Sequence, residues 1–125
     1  MNYPENLKYT KEHEWVLVDG ATATVGITDH AQSQLGDIVF VELPGVNDDI
    51  TQDGTFGVIE AVKTVADLFA PVSGKVIEVN SELEENPDII NSDPYGAGWI
   101  IKTQIENNDE LNTLMSNNQY EDYVK

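Results

Sequence analysis

The 125-residue sequence contains no cysteine and no arginine, so its six basic residues are all lysines. Without cysteine there is no disulfide framework, no thiolate metal ligand and no cysteine nucleophile, and sulfur redox chemistry must come from a cofactor. No run approaches the roughly 20 apolar residues of a membrane-spanning helix. Against the lysines stand 23 acidic residues, which give a formal net charge of −17. This balance argues against nucleic-acid and membrane partners, since both recognise clustered basic groups.

The residues that are present indicate an ordered chain. Hydrophobic residues make up 40% of it, too large a share for a disordered chain even at this charge. Its length predicts one domain over residues 1–125. Residues 1–5 resemble neither a signal peptide nor a transit peptide, which predicts a cytoplasmic location. The acidic surface suits a protein that meets basic patches on its partners, although it could serve solubility alone.

The hydrophobic pattern predicts a fold built mainly of short β-strands. Asp19-Gly20 separates two strand-like segments, 14–18 and 21–27, and is typical of a two-residue hairpin turn. A short helix is predicted over 28–34, with Gly36 as its left-handed stop. Further strands are predicted at 37–43, 55–62, 65–70, 75–80 and 99–105. Together these elements predict a mainly β protein, a flattened barrel or sandwich with short helices at its periphery.

The C-terminal part of the chain changes its period and predicts two helices over about 107–124. Asn107 and Asn118 each precede a glutamate by three residues, the pattern of a capping box. The first helix is predicted to bury one common apolar face, and the second to carry two more apolar residues. These residues are Leu111, Leu114 and Met115 in the first helix, and Tyr120 and Val124 in the second.

A single lysine lies midway between two of the apolar strands. Lys63 would stand at the tip of a hairpin, where its amine projects into solvent and a second enzyme could modify it. Strand alternation puts Ile59 and Ala61 on the same face as Lys63, and the other residues on the opposite face. The residue pattern alone leaves a second reading open, because most lysines at such tips are ordinary solvated turn residues.

Four segments of the chain carry a more specific signal. Glu60-Ala61-Val62-Lys63-Thr64, with residues 67–80, resembles the lipoyl-attachment region of the glycine cleavage system H protein family. Residues 7–16, 26–44 and 90–100 resemble the family's other blocks in the same order, so the resemblance covers nearly the whole chain. It implies the lipoyl/biotinyl-carrier fold, the barrel-sandwich hybrid, with a lipoyl hairpin at about 55–80. One departure is Ala61, where many members have serine, so a hydroxyl is lost beside the lysine.

The resemblance implies a non-catalytic carrier. Lipoate-attaching enzymes would join lipoate to Lys63 by an amide, reading Glu60, Ala61 and Val62 around it. In the family this arm accepts an aminomethyl group from glycine at a pyridoxal-phosphate glycine decarboxylase and offers it to a tetrahydrofolate-dependent aminomethyltransferase. Dihydrolipoyl dehydrogenase, an FAD enzyme, then reoxidises the dithiol. A monomer is expected, whose tethered arm raises the effective concentration of the intermediate at each partner.

Family members shelter the aminomethylated arm in a cleft of the carrier. We expect Glu14, Asp67 and Glu12 to supply carboxylates there, because acidic groups favour the cationic form of an amine. Glu12 and Glu14 lie in one matching block, and Asp67 follows Lys63 closely. In the alternative interpretation Glu14 simply begins a strand and Asp67 is a solvated hairpin carboxylate.

Other functions stay open on the sequence. An H-like protein could relay lipoate to other lipoyl domains, which also requires only a displayed lysine. A small acid–base hydrolase could use paired carboxylates such as Glu84-Glu85 or Asp48-Asp49, although so acidic a chain contains such pairs by chance. An unmodified acidic interaction domain is a further alternative. The two histidines, His13 and His30, lack the spacing of a zinc site, so no metal is predicted.

Overall fold

The computed structural model describes residues 2–125 and leaves Met1 outside the description. Nine strands form two antiparallel sheets within this range. The strands are β1 Lys8–Tyr9, β2 Glu14–Asp19, β3 Thr22–Ile27, β4 Ile38–Glu42, β5 Asp49–Ile50, β6 Thr55–Ala61, β7 Val65–Phe69, β8 Gly74–Val79 and β9 Ile101–Ile105. The helices are α1 Asp29–Leu35, α2 Glu82–Glu85, α3 Ile89–Ser92, α4 Asn117–Val124 and a 3-10 segment at Asn108–Thr113.

The two sheets share one hydrophobic core. The larger sheet has six strands in the order β1-β2-β3-β9-β8-β5, and the smaller has three in the order β4-β6-β7. Val16 and Val25 from the larger sheet and Ile59 and Leu68 from the smaller one belong to the same buried cluster. Neither sheet closes into a barrel over residues 2–125. The prediction of a mainly β protein is therefore confirmed in its sandwich form.

The first hairpin forms between β2 and β3, but its turn lies one residue later than predicted. Asp19 pairs with Thr22, so Gly20 and Ala21 make the two-residue loop. Gly20 has a φ of 62°, a left-handed conformation that glycine adopts at little cost. The remaining predicted strands are present, with ends that differ by one or two residues.

Helix α1 forms as predicted and extends one residue further, to Leu35. The Thr28 hydroxyl accepts a hydrogen bond from the Ala31 backbone N–H and caps the helix. Gly36 ends it with a φ of 79°, but its ψ of −154° lies outside the left-handed helical region that the stop signal predicted. The chain therefore leaves α1 in an extended direction and enters β4 almost at once.

The hairpin of β6 and β7 carries Lys63, and β6 ends earlier than predicted, at Ala61. Ile59 and Ala61 are buried as the alternation predicts. Val62 and Lys63 lie beyond the strand in an exposed bend, so the alternation does not extend to the lysine. The tip is held by its backbone, because the Val62 N–H donates to the Asp37 carbonyl at 3.0 Å.

The prediction for the C-terminal caps is correct at one end only. The Asn107 side chain accepts from a backbone N–H as predicted, yet the segment that follows is a 3-10 helix. The second helix is capped by Ser116 and Gln119, which form a capping box, and not by Asn118. Asn118 instead lies inside α4, because the Ser116 hydroxyl, two residues earlier, accepts from the Gln119 N–H and caps the helix there.

A second buried cluster joins the two ends of the chain. The rings of Tyr9 and Tyr120 stack with their centroids 4.8 Å apart, and Met115 pairs with Tyr9 through backbone hydrogen bonds. Met115 packs into this cluster, whereas Leu111 and Leu114 pack against the main core. The prediction of one common apolar face is therefore wrong, because the chain becomes extended after the 3-10 segment and turns Met115 the other way.

Two single-turn helices, α2 and α3, lie between β8 and β9, where the sequence pattern predicts no helix or strand. Neither has a side-chain hydrogen bond at its N-cap. Each buries one apolar residue, Leu83 in α2 and Ile90 in α3, so tertiary packing holds them in place. No helix within residues 2–125 is long and apolar enough to cross a membrane.

Candidate functional site

A cleft of about 120 Å³ opens between α1 and the hairpin of β6 and β7. Its walls are largely apolar, since α1 contributes Ala31 and Leu35, and the hairpin contributes Ile59, Ala66 and Leu68. The carboxyl-bearing residues that line this cleft are Glu12, Glu14 and Asp67. The three acidic residues that were expected to meet at a cleft therefore do lie along one cavity, and this cavity adjoins the hairpin that displays Lys63.

Glu14 is the buried carboxyl of the cleft, with 2% of its surface exposed. The Thr10 hydroxyl donates to its Oε1 at 2.6 Å, and the backbone N–H of Phe69 donates to its Oε2 at 3.2 Å. Burial raises the pKa of Glu14 to about 8, and these hydrogen bonds only partly oppose that shift. Near neutral pH the contents of the cleft can therefore decide whether Glu14 is an acid or a carboxylate.

Glu12 and Asp67 line the same cleft but are exposed to solvent. The negative charge of Glu12 also contributes to the raised pKa of Glu14. Asp67 is placed by its strand, since it pairs with Val58 across the hairpin. The result is an apolar cavity with one buried acid and two solvated acids at its edge. Such a cavity fits a ligand with an apolar body and a cationic end.

His13 lines the cleft as well, although no sequence signal singled it out. It has a φ of 76°, and its Nδ1 lies 2.8 Å from the Tyr120 hydroxyl. Burial and the neighbouring His30 lower the pKa of His13, so its imidazole is uncharged at neutral pH. A neutral ring does not repel a cation in the cleft. Among residues 2–125 no group of three or more side chains could hold a metal ion.

The Pro94-Tyr95-Gly96 turn, inside the segment 90–100 that resembles the family, supports the wall of the cleft. The Trp15 indole N–H donates to the Pro94 carbonyl at 2.9 Å. The Tyr95 hydroxyl accepts from the Asp29 backbone N–H at 2.9 Å and donates to the Asn2 carbonyl at 2.7 Å. Because Asp29 begins α1, this turn fixes the helix against the strand that carries Glu14.

Comparison with solved structures defines the class of the protein. The crystal structure of a glycine cleavage system H protein from Mycobacterium marinum matches with a TM-score of 0.83 and 37% sequence identity, and the match covers 97% of this chain and 95% of that one. The two open sheets with an exposed hairpin lysine are thus the barrel-sandwich architecture of lipoyl-carrier proteins.

Sequence comparison then gives the family. The profile described as glycine cleavage H-protein matches residues 7–125. A glycine cleavage system H protein from Carboxydothermus hydrogenoformans is 58% identical over 94% of this chain and 91% of that protein. One from Halothermothrix orenii is 54% identical over 100% of this chain and 98% of that protein. The chain belongs to the glycine cleavage H-protein family, as its sequence blocks predicted.

The buried carboxyl makes stability depend on pH. The pKa of Glu14 rises from 4.5 to about 8 on folding, so the folded chain holds a proton that the unfolded chain releases between these values. Stability should therefore fall as pH rises through this window, by at most about 1.4 kcal/mol per pH unit. We expect Glu14→Gln to remove this slope, as measured by urea unfolding from pH 5 to pH 8. The matched control is Glu85→Gln at an exposed position, and an unchanged slope in Glu14→Gln would contradict the assignment.

Proposed function

We propose that Lys63 carries lipoate and that the chain is the lipoyl carrier of the glycine cleavage system. The chain would move the aminomethyl group of glycine from the pyridoxal-phosphate glycine decarboxylase to the tetrahydrofolate-dependent aminomethyltransferase. Dihydrolipoyl dehydrogenase would then reoxidise the dithiol of the lipoyl arm. The observation that carries the proposal is an exposed lysine on an anchored hairpin beside a cleft with a buried carboxyl. We further propose that it acts as a one-domain monomer in the cytoplasm and contributes no catalytic group.

The surroundings of Lys63 fit a long acyl arm. Its exposed amine can form an amide with an activated lipoate carboxyl, whose leaving group stays with the attaching enzyme. When bound, lipoate supplies the thiol chemistry that this cysteine-free chain lacks. The apolar side chains of Leu35 and Leu68 offer contacts for the hydrocarbon part of such an arm inside the cleft.

The carboxyls of the cleft would hold the cationic end of the loaded arm. Glu14 is protonated more readily than an ordinary glutamate because it is buried. A cation entering beside it favours the carboxylate, so Glu14 would give up its proton and pair with the amine. Asp67 and Glu12 would attract the amine at the edge of the cleft. The apolar walls exclude water, which slows hydrolysis of the bound group.

The residues before Lys63 divide into two roles. Val62 is 74% exposed and Glu60 is half-buried, so both present surface to a lipoate-attaching enzyme. Ala61 is buried, and we assign it to holding the strand end in place instead of to direct contact. The serine common at this position in the family would bring a hydroxyl into that buried site, which this chain avoids.

The cleft favours glycine cleavage over lipoate relay. A relay protein needs only the displayed lysine, and it gives no role to a buried carboxyl beside an apolar cavity. Retaining an ionisable group in such a place lowers stability, which argues for a use in binding. If the chain functions in glycine cleavage, purified decarboxylase and aminomethyltransferase should release the α-carbon of glycine, at the oxidation level of formaldehyde, through this chain.

Attachment at Lys63 is tested by intact mass. Incubation with a lipoate ligase, lipoate and ATP should add one lipoyl group to the wild-type chain and none to Lys63→Arg, because arginine cannot form the amide. Lys75→Arg, at another exposed lysine, is the matched control and should gain the group normally. Lipoylation of Lys63→Arg would overturn the assignment of the site.

The anchored geometry of the hairpin tip is tested at Val62. Val62→Pro removes the N–H that donates to the Asp37 carbonyl, so we expect the tip to detach and lipoylation to be lost. Val62→Ala keeps this N–H and should be lipoylated at a rate close to that of the wild type. The rate of mass gain measures both variants, and normal lipoylation of Val62→Pro would show that the attaching enzyme does not depend on the anchored tip.

The role of the cleft is tested by the lifetime of the loaded arm. Glu14→Gln removes the carboxyl that would pair with the amine, with little change in shape, and should shorten that lifetime by about tenfold, the effect of about 1.4 kcal/mol. Asp67→Asn removes a solvated charge at the edge of the cleft and should shorten the lifetime less. Glu42→Gln is the matched control for Asp67→Asn, since Glu42 and Asp67 flank Val58 on the same sheet but Glu42 lies outside the cleft. Mass spectrometry follows the loss of the aminomethyl group, and equal lifetimes in all chains would contradict the assignment of the cleft.

A further inference from the structure

The side chain of Lys63, although exposed, lies back across Gly36 at the end of α1. A Cβ atom placed on Gly36 would stand 3.2 Å from Lys63 Cε and 3.7 Å from both Cδ and Nζ. Gly36 directly follows Leu35, which lines the cleft. The lysine stem therefore lies against Gly36, the neighbour of a cleft-lining residue, and the surface that it crosses is a residue without a side chain.

Hydrogen bonds fix this crossing from two sides. Asn91 of α3 donates from Nδ2 to the Gly36 carbonyl at 2.9 Å, and its Oδ1 accepts from the Ile38 N–H at 3.0 Å. On the other side the Val62 N–H donates to the Asp37 carbonyl at 3.0 Å. The separation between the backbone of the hairpin tip and the Gly36 backbone is thus set by the fold, so a side chain added at Gly36 would have to be accommodated by movement of the Lys63 stem.

We propose that Gly36 is a positioning residue for the arm on Lys63, because its missing side chain leaves open the path from the hairpin tip into the cleft. The inference rests on the function proposed above. A methyl group at this position would lie 3.2 Å from the lysine stem, which is closer than the roughly 3.5–4.0 Å at which carbon atoms pack. The stem would have to lift away from the α1 side, and the arm would enter the cleft less often.

The backbone conformation at the end of α1 is by itself a reason for glycine at position 36. Gly36 has a φ of 79° and a ψ of −154°, a conformation that other residues adopt only with strain. The contact with Lys63 is a second and separate requirement. The two requirements predict different losses, since backbone strain lowers the melting temperature, whereas a blocked path shortens the time for which the loaded arm is sheltered.

The experiment compares Gly36→Ala with Gly20→Ala. Gly20 also has a positive φ, of 62°, but an added Cβ would meet nothing within 4 Å, so this control carries backbone strain without a contact to the arm. Each chain is lipoylated and then loaded from glycine by the glycine decarboxylase of a glycine cleavage system. Intact mass follows the loss of the loaded group, and the melting temperature is measured in parallel. We expect both variants to take lipoate fully and to melt below the wild type, and only Gly36→Ala to lose its loaded arm faster, by about tenfold.

The outcomes separate this inference from the proposed function. If the wild type takes no lipoate, the proposed function fails and the role of Gly36 fails with it. If the wild type takes lipoate but Glu14→Gln leaves the lifetime unchanged, the cleft assignment fails together with the role of Gly36, while lipoylation of Lys63 stands. If Glu14→Gln shortens the lifetime but Gly36→Ala does not, or Gly20→Ala shortens it equally, only the role of Gly36 is overturned. Should Gly36→Ala not fold, nuclear Overhauser contacts between the Lys63 ε-methylene and the Gly36 α-protons of the loaded wild type decide. Their presence supports the role, and their absence overturns it.

Discussion

The burial of the Glu14 carboxyl is the constraint on which the site depends. Glu14 begins β2 in the larger sheet, and its Oε2 accepts from the backbone of Phe69 in the smaller one, so this side chain joins the two layers. Thr10 satisfies the other oxygen. A carboxyl removed from water in this way is costly unless it is protonated or paired. The chain therefore holds a group that a cation can stabilise, at the point where both sheets and α1 meet.

The charge of the chain and its lack of cysteine both suit the proposed carrier function. A carrier that presents one long arm needs a single modified lysine, and amide formation at Lys63 would take the formal charge from −17 to −18. A cysteine near the arm could exchange with its disulfide, and the sequence contains none. The neutral His13 ring adds no positive charge to the cleft. Because the sequence contains no cysteine, the proposed arm would supply the only thiol chemistry of the chain.

Much of the fold was predictable because its signals are local. The hairpin of β2 and β3, predicted to within one residue at its turn, the cap of α1 and the alternation of Ile59 and Ala61 each depend on neighbours in sequence. The short helices α2 and α3 were not predictable, because the burial of one apolar residue in the shared core holds each of them. Ser116 was missed as a cap for a simpler reason: two capping patterns overlap there, and the one that begins earlier in the chain is the one that forms.

The site divides in the same way. The residue pattern alone indicated that Lys63 is displayed but did not show its function. The family resemblance was needed to predict that Glu12, Glu14 and Asp67 share one cleft. The most direct measurement is nuclear magnetic resonance of the lipoylated chain loaded from glycine labelled with 13C at its α-carbon. We expect the labelled methylene to show Overhauser contacts with Leu35 and Ala66, and the Glu14 carboxyl to titrate as a carboxylate at pH 7. A methylene without contacts to the cleft, beside a Glu14 that stays protonated, would contradict a carrier that shelters its cargo.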